Sequence, residues 1–170
     1  MLFSMLPKLQ VTTITPNTTT IVTDIFRRIS VNNFSKNLIF LQPVTIPDGF
    51  TVEQVADKFY KKPDYHWVIL IINDIVDVRK EWPISNSDLL AYAKKKYGET
   101  KIYETHHYRT TDSAKLIVDF DSAGLVNGDI EEVTNLQYEE ELNDAKREIN
   151  ILNPKYLTEF VSNYASLIGK

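Results

Sequence analysis

Apolar positions along this chain change their period repeatedly, and each change marks an element. Val52, Val55, Ala56 and Phe59 recur at i, i+3, i+4 and i+7, one stripe of a helix. Asp48-Gly49 before them is a turn dipeptide, and Thr51 with Gln54 forms a capping-box pattern at the helix start. Pro63 cannot continue that helix but suits the first turn of another, so Lys61 to Asp64 reads as a corner. The helix beyond it, Asp64 to Ile72, is apolar nearly all round from Trp67 onward, the pattern of an element buried on most sides. Asn73-Asp74 closes the stretch with a turn signal.

Further on, Ser85 to Ser87 offers caps for a third helix whose buried face is Leu89, Leu90, Ala93 and Tyr97. Lys94 to Lys96 fill its last turn and Gly98 ends it. Lys101 to Tyr108 and Lys115 to Phe120 are β-prone and can pair across Arg109 to Ala114 as an antiparallel hairpin. The Asp119 to Asp129 region after them reads as loop. From Asn135 a helix is expected in which Tyr138, Leu142, Ala145, Ile149 and Leu152 are spaced 4, 3, 4, 3, a heptad-like seam. Glu139 to Glu141, with Asp144, Lys146, Arg147 and Glu148, would fill its other, solvated faces. Asn153-Pro154 opens a last helix carrying Tyr156, Leu157, Phe160, Val161, Tyr164, Leu167 and Ile168. At the other end, Gln10 to Val22 is Thr-rich with Val11, Ile14 and a Pro16-Asn17 turn signal, which suits an extended arm. A short helix from Thr23 to Ile29 and a strand from Pro43 to Pro47 would follow it.

Composition narrows the function. Hydrophobic residues make up 43% and charged residues 25% of 170 residues, a globular balance. The formal net charge is −4 and the pI near 5.4, so there is no global basic footprint for a phosphate backbone, and nucleic acid is not expected as a partner. The chain has no cysteine, which excludes disulfides and thiolate metal sites. The opening MLFSMLPKL lacks a basic stretch and is interrupted by Pro7 and Lys8, so it is not expected to act as a signal peptide. The longest strongly apolar run, Trp67 to Ile72, falls far short of the ~20 residues that span a bilayer.

Candidate chemistry is sparse. Strand alternation would send His106 and His107 to opposite faces, which prevents them from sharing a metal. His66 reads as a polar edge residue beside Trp67. Asp119, Asp121 and Asp129 lack the spacing and closing Glu of a calcium loop and read as solvated carboxylates. No nucleophile-elbow, Walker, zinc-protease or Cys-His pattern is present. None of these patterns singles out a metal site or a catalytic residue, while paired carboxylates for glycoside hydrolysis, whose separation is spatial, stay open. Trp67 and Trp82 read as core, while Tyr103, Tyr108 and Tyr138 are candidate interface anchors.

The order of extended segment, Asp-Gly turn, capped helix, proline corner, second helix and closing Asn over Pro43 to Trp82 resembles the lysin motif, LysM, a β-α-α-β module. In glycan-binding LysM modules the ligand lies across two loops, which here would be Asp48, Gly49, Phe50 and Asn73, Asp74, Ile75. Four further blocks widen the resemblance to nearly the whole chain: TDIFRR from Thr23, YHWVILIIND from Tyr65, EWP from Glu81 and YEEELNDAKREINILNPKYL from Tyr138. Together they resemble the baseplate wedge subunit of contractile-tailed bacteriophages; Lys101 to Asn127 matches no block.

That resemblance implies a structural virion protein of the tail baseplate, made in the host cytoplasm, with no cofactor and no catalysis. It would join neighbouring wedges, in six copies, into a sixfold baseplate around the hub, with other wedge subunits and hub proteins as partners. The alternative is a LysM-type module binding peptidoglycan or chitin. The expected fold is α+β, with a LysM-like β-α-α-β core, an extended N-terminal arm, a small β-hairpin region and C-terminal helices. The expected divisions are an arm and short helix over 1–42, a LysM-like domain over 43–84, a helix and hairpin region over 85–132 and a helical segment over 133–170. An arm and a seam of this kind repay their ordering only against neighbours. Val11, Ile14, Tyr138, Leu142, Ala145, Ile149 and Leu152 are accordingly the candidate partner contacts.

Overall fold

The computed structural model describes residues 5–13, 18–25 and 40–168. In chain order its strands and helices are β1 (Lys8–Thr13), β2 (Thr18–Thr23), β3 (Leu41–Thr45), α1 (Val52–Tyr60), α2 (His66–Ile72), α3 (Val78–Glu81) and α4 (Asn86–Tyr97). Then come β4 (Thr105–Thr110), β5 (Ile117–Val118), α5 (Ser122–Asn127), β6 (Ile130–Thr134), α6 (Asn135–Ala145), β7 (Glu148–Leu152) and α7 (Leu157–Ile168). Helices and small sheets are mixed, and the class is α+β as expected. Ile14, the Pro16-Asn17 turn and most of the helix expected over Thr23 to Ile29 lie outside the described residues.

The chain divides into two compact units, Met1–Thr45 with Thr51–Glu81 and Ile149–Lys170, and Ile46–Phe50 with Trp82–Glu148. In the first, α1 starts as the sequence indicates. Thr51 Oγ1 accepts from the Gln54 N–H at 3.4 Å, and Gln54 Oε1 accepts from the Thr51 N–H at 2.9 Å. Lys61 turns left-handed at φ 57° to end the helix, and Pro63–Tyr65 forms a 3₁₀ turn that leads into α2. Val52, Val55 and Ala56 from α1 and Trp67, Val68 and Ile69 from α2 are buried with Ile151 and Leu152 of β7. The α7 residues Phe160, Tyr164 and Ile168 join this core, with the Trp67 ring 5.3 Å from Tyr164 and 6.3 Å from Phe160. The C-terminal helix thus packs on its own chain.

Strands β3 and β7 form a two-stranded sheet. The heptad-like seam is not a continuous helix. Helix α6 stops at Ala145, where the Lys146 and Arg147 N–H groups turn back to Asn143 O and Asp144 O, and Ile149 and Leu152 lie in β7. Glu148 and Asn150 are exposed while Ile149 and Ile151 are buried, a period of two that competes with the 4-3 spacing and that pairing with β3 takes up.

In the second unit β4 lies between β5 and β6, antiparallel to both. The expected hairpin is present as β4 and β5, but Lys101–Tyr103 is a 3₁₀ turn rather than strand. The region read as loop contains α5, capped by Asp121, whose carboxylate accepts from the Ala123 and Gly124 N–H groups at 3.0 and 3.1 Å. Gly128 ends it at φ 80°, a left-handed position that favours glycine. Asn143 is only 3% exposed. Its Oδ1 accepts from the Ile84 N–H at 2.9 Å and its Nδ2 donates to Ile84 O at 3.0 Å. Trp82, buried as expected, donates its indole N–H to Phe50 O at 2.9 Å. No helix among the described residues is long and apolar enough to cross a membrane.

Candidate assembly surfaces

The two loops singled out for glycan contact are engaged in holding the fold. In the second unit Asp48 Oδ1 accepts from Arg147 Nη2 at 2.8 Å and from the Asn86 N–H at 3.0 Å. The side-chain bond from Arg147 holds the Asp48 carboxyl below its ordinary range. Arg147 is itself 8% exposed, and it also donates to Asp144 Oδ1 at 2.9 Å and Asn86 Oδ1 at 3.0 Å. Gly49 sits at φ 70° with a Cβ position 3.7 Å from Ser85 Cβ, and Phe50 O takes the Trp82 indole. In the first unit Asn73 Nδ2 donates to Ile69 O and Asn150 O, both at 2.8 Å, and Asn73 Oδ1 accepts from the Asn150 N–H at 2.8 Å. Asp74 is exposed at φ 58°, and the Ile75 N–H donates to Leu70 O at 2.9 Å.

The candidate partner contacts fall in different surroundings. Val11 lies on β1, which pairs with β2 in an antiparallel ribbon with Leu9 opposite Val22 and Val11 opposite Thr20. Directly paired residues share a face and residues two apart along a strand do too. Leu9, Val11 and Val22 therefore line one face, 47%, 45% and 40% exposed. The opposite face carries Lys8, Gln10, Thr12 and Thr19, with the two threonine hydroxyls 3.2 Å apart, and Ile21. Tyr138 and Leu142 are on α6, Leu142 exposed and Tyr138 half-buried against His106, while Ala145 is exposed at the helix end. Ile149 and Leu152 are buried in β7, so they serve the core of their own unit.

Three features of the second unit were not readable as side-chain clusters. Glu139, placed by periodicity on a solvated face, is 5% exposed and accepts from Lys96 Nζ at 2.6 Å and Tyr97 Oη at 2.8 Å. Burial alone would push its carboxyl up; the Lys96 and Tyr97 bonds outweigh it and hold the carboxyl below its ordinary range. Lys96 is pushed up chiefly by its bond to Glu139. Arg109 Nη1 and Nη2 reach both oxygens of Glu141 at 2.6 and 2.8 Å, while its Nε donates to Glu131 at 2.6 Å. A two-pronged contact of this kind fixes geometry as well as charge. The signal for both clusters was a basic residue in α4 or β4 facing the acidic run of α6, which spacing along one helix cannot show.

The third feature corrects the reading of the histidines. Thr105 faces Thr134 while His107 faces Val133, so β4 has an extra residue at His106. A bulge of this kind re-aims side chains that alternation would separate. His106 and His107 meet with their Nδ1 atoms 2.8 Å apart. Among the described residues no group of three His, Cys, Asp or Glu side chains could hold a metal ion.

What these residues define is a protein of joints and surfaces, with its polar clusters engaged in fastening elements and apolar side chains exposed on the β1–β2 ribbon and on α4, β5, α5, α6 and α7. The chain belongs to a family of baseplate structural proteins: residues 1–123 match the model of the family described as base plate wedge protein 53. Its place is accordingly the phage tail baseplate, in association with other baseplate components. No curated protein matches the chain.

Proposed function

We propose that this chain joins neighbouring wedges into a sixfold baseplate around the hub, in six copies, and that its outward apolar residues supply the contacts. The observation that carries this reading is the β1–β2 ribbon, paired along its length yet exposed on both faces, with Leu9, Val11 and Val22 on one of them. An isolated two-stranded ribbon is marginal in water, and burial against a third surface is what such ribbons need. Leu142 on α6 is a second contact of the same kind. The strand–helix–helix–strand series β3, α1, α2, β7 acts as a LysM-like frame, and this frame takes its closing strand from beyond residue 147. Catalysis has no role in this reading.

The experiment is light scattering of the purified chain, alone and mixed with the other wedge proteins of its source, for wild type and for the double variant Val11→Lys, Val22→Lys. We expect wild type to enter larger assemblies and the variant to stay folded by circular dichroism but outside them. A variant that assembles as wild type does would remove the ribbon from the interface. A wild-type chain that remains apart from every wedge protein would overturn the joining role itself.

A further inference from the structure

The His106–His107 contact has a consequence beyond packing. Two imidazole nitrogens 2.8 Å apart form a hydrogen bond only when one carries a proton and the other presents its lone pair. One proton between the two Nδ1 atoms makes the contact, in the neutral pair or with one ring charged; only when both rings are imidazolium must two donors face each other. The pair is not isolated. The His106 ring lies flat on Tyr138 of α6, with centroids 3.9 Å apart and planes 11° from parallel, and His107 meets the same tyrosine edge-on at 5.9 Å. The bulge of β4 is thereby clamped to α6 through three rings.

The charges around the pair come from each packed element. From α6, Glu139 faces His106 and Glu141 faces His107. On β4 itself Arg109 opposes a positive charge on His107. From β6, Glu131 is taken by Arg109, and Glu132 accepts from the Thr105 hydroxyl. Residues Ile117–Val118 of β5 bring no titratable side chain. Glu139 and Glu141 are in turn held by Lys96, Tyr97 and Arg109, so neither carboxylate is free to move closer to the pair, and Glu141 favours a charge on His107 only from where it stands.

We propose that the His106–His107 pair is a proton-operated clasp between β4 and α6: it closes on one shared proton and opens when the acceptor nitrogen is protonated as well. Burial, the neighbouring His106 and Arg109 all push the His107 imidazole down, which places the opening step on the acid side of an ordinary histidine.

The test is a proton NMR titration of the full chain, following the imidazole resonances of its three histidines from pH 8 to pH 4 with a chelator present. The variants His106→Gln and His107→Gln assign the pair, and His66 serves as the internal reference. We expect the two pair midpoints to be separated by more than about one pH unit. The ring-current shift of Tyr138 on His106 should survive the first step and collapse at the second. In His107→Gln, His106 should titrate in one step with the stack kept throughout. Coincident, independent midpoints in wild type, or a stack that outlasts the second step, would overturn the clasp. If a variant does not fold, the wild-type titration alone decides. Far-UV circular dichroism run alongside must stay native through the second step, and loss of the whole fold there would count against a local clasp.

Discussion

Asn73 and Asn150, 77 positions apart, are bonded reciprocally: the Asn73 amide donates to Asn150 O and accepts from the Asn150 N–H, each at 2.8 Å. A side chain here does what a neighbouring strand would do, satisfying both main-chain groups of one β7 residue. The same amide donates to Ile69 O at the end of α2. One residue thus ends a helix and holds a strand that the chain reaches only much later.

Asn73→Leu should therefore destabilise the first unit by about 2 kcal/mol, since it removes three hydrogen bonds and strands the Asn150 groups. Asn73→Asp, which keeps the acceptor but sets a carboxylate oxygen against the Ile69 and Asn150 carbonyls, should also be destabilising. Urea denaturation followed by Trp fluorescence measures both. Equal midpoints for wild type and Asn73→Leu would show that water replaces the amide without loss.

Glu139 gives the second unit a pH dependence with a definite sign. Its carboxyl is held below the ordinary 4.5 when folded, so its contribution is present above 4.5 and lost as pH falls through the folded value. Glu139→Gln should be less stable than wild type at pH 7 by about 1–2 kcal/mol, the worth of charged hydrogen bonds partly open to solvent at Lys96. At pH values below the folded value the two proteins should converge, because wild type is then protonated as well. Chemical denaturation at a series of pH values tests this, and a gap that persists at low pH would place the effect in packing rather than charge.

The ring cluster of Trp67, Phe160 and Tyr164 ties α7 to the first unit. Trp67→Ala should cost about 3–5 kcal/mol, and removing residues 157–170 should expose Trp67 and shift its fluorescence to the red. Loss of assembly with an unshifted spectrum after that truncation would instead give α7 a partner-facing role.

Much of the fold was determined by the sequence alone, wherever the deciding interaction is local. The capping box at Thr51 and Gln54, the proline corner, the burial of Trp67 to Ile69 and the glycine after α4 all depend on residues within a few positions of one another, so spacing shows them directly. Family membership was legible too, because ordered blocks of sequence carry it without any coordinates. The tertiary structure alone decided the rest, where partners are distant or alternation is interrupted. Ile149 and Leu152 fit a heptad seam and equally a strand; pairing of β7 with β3 settled the matter. Glu139 and Arg147 looked solvated on their own helix until α4 and the Asp48 turn supplied their partners. The histidines were separated by a period of two that one extra residue in β4 breaks. In each of these, two local readings fit the same residues, and a contact tens of residues away chose between them.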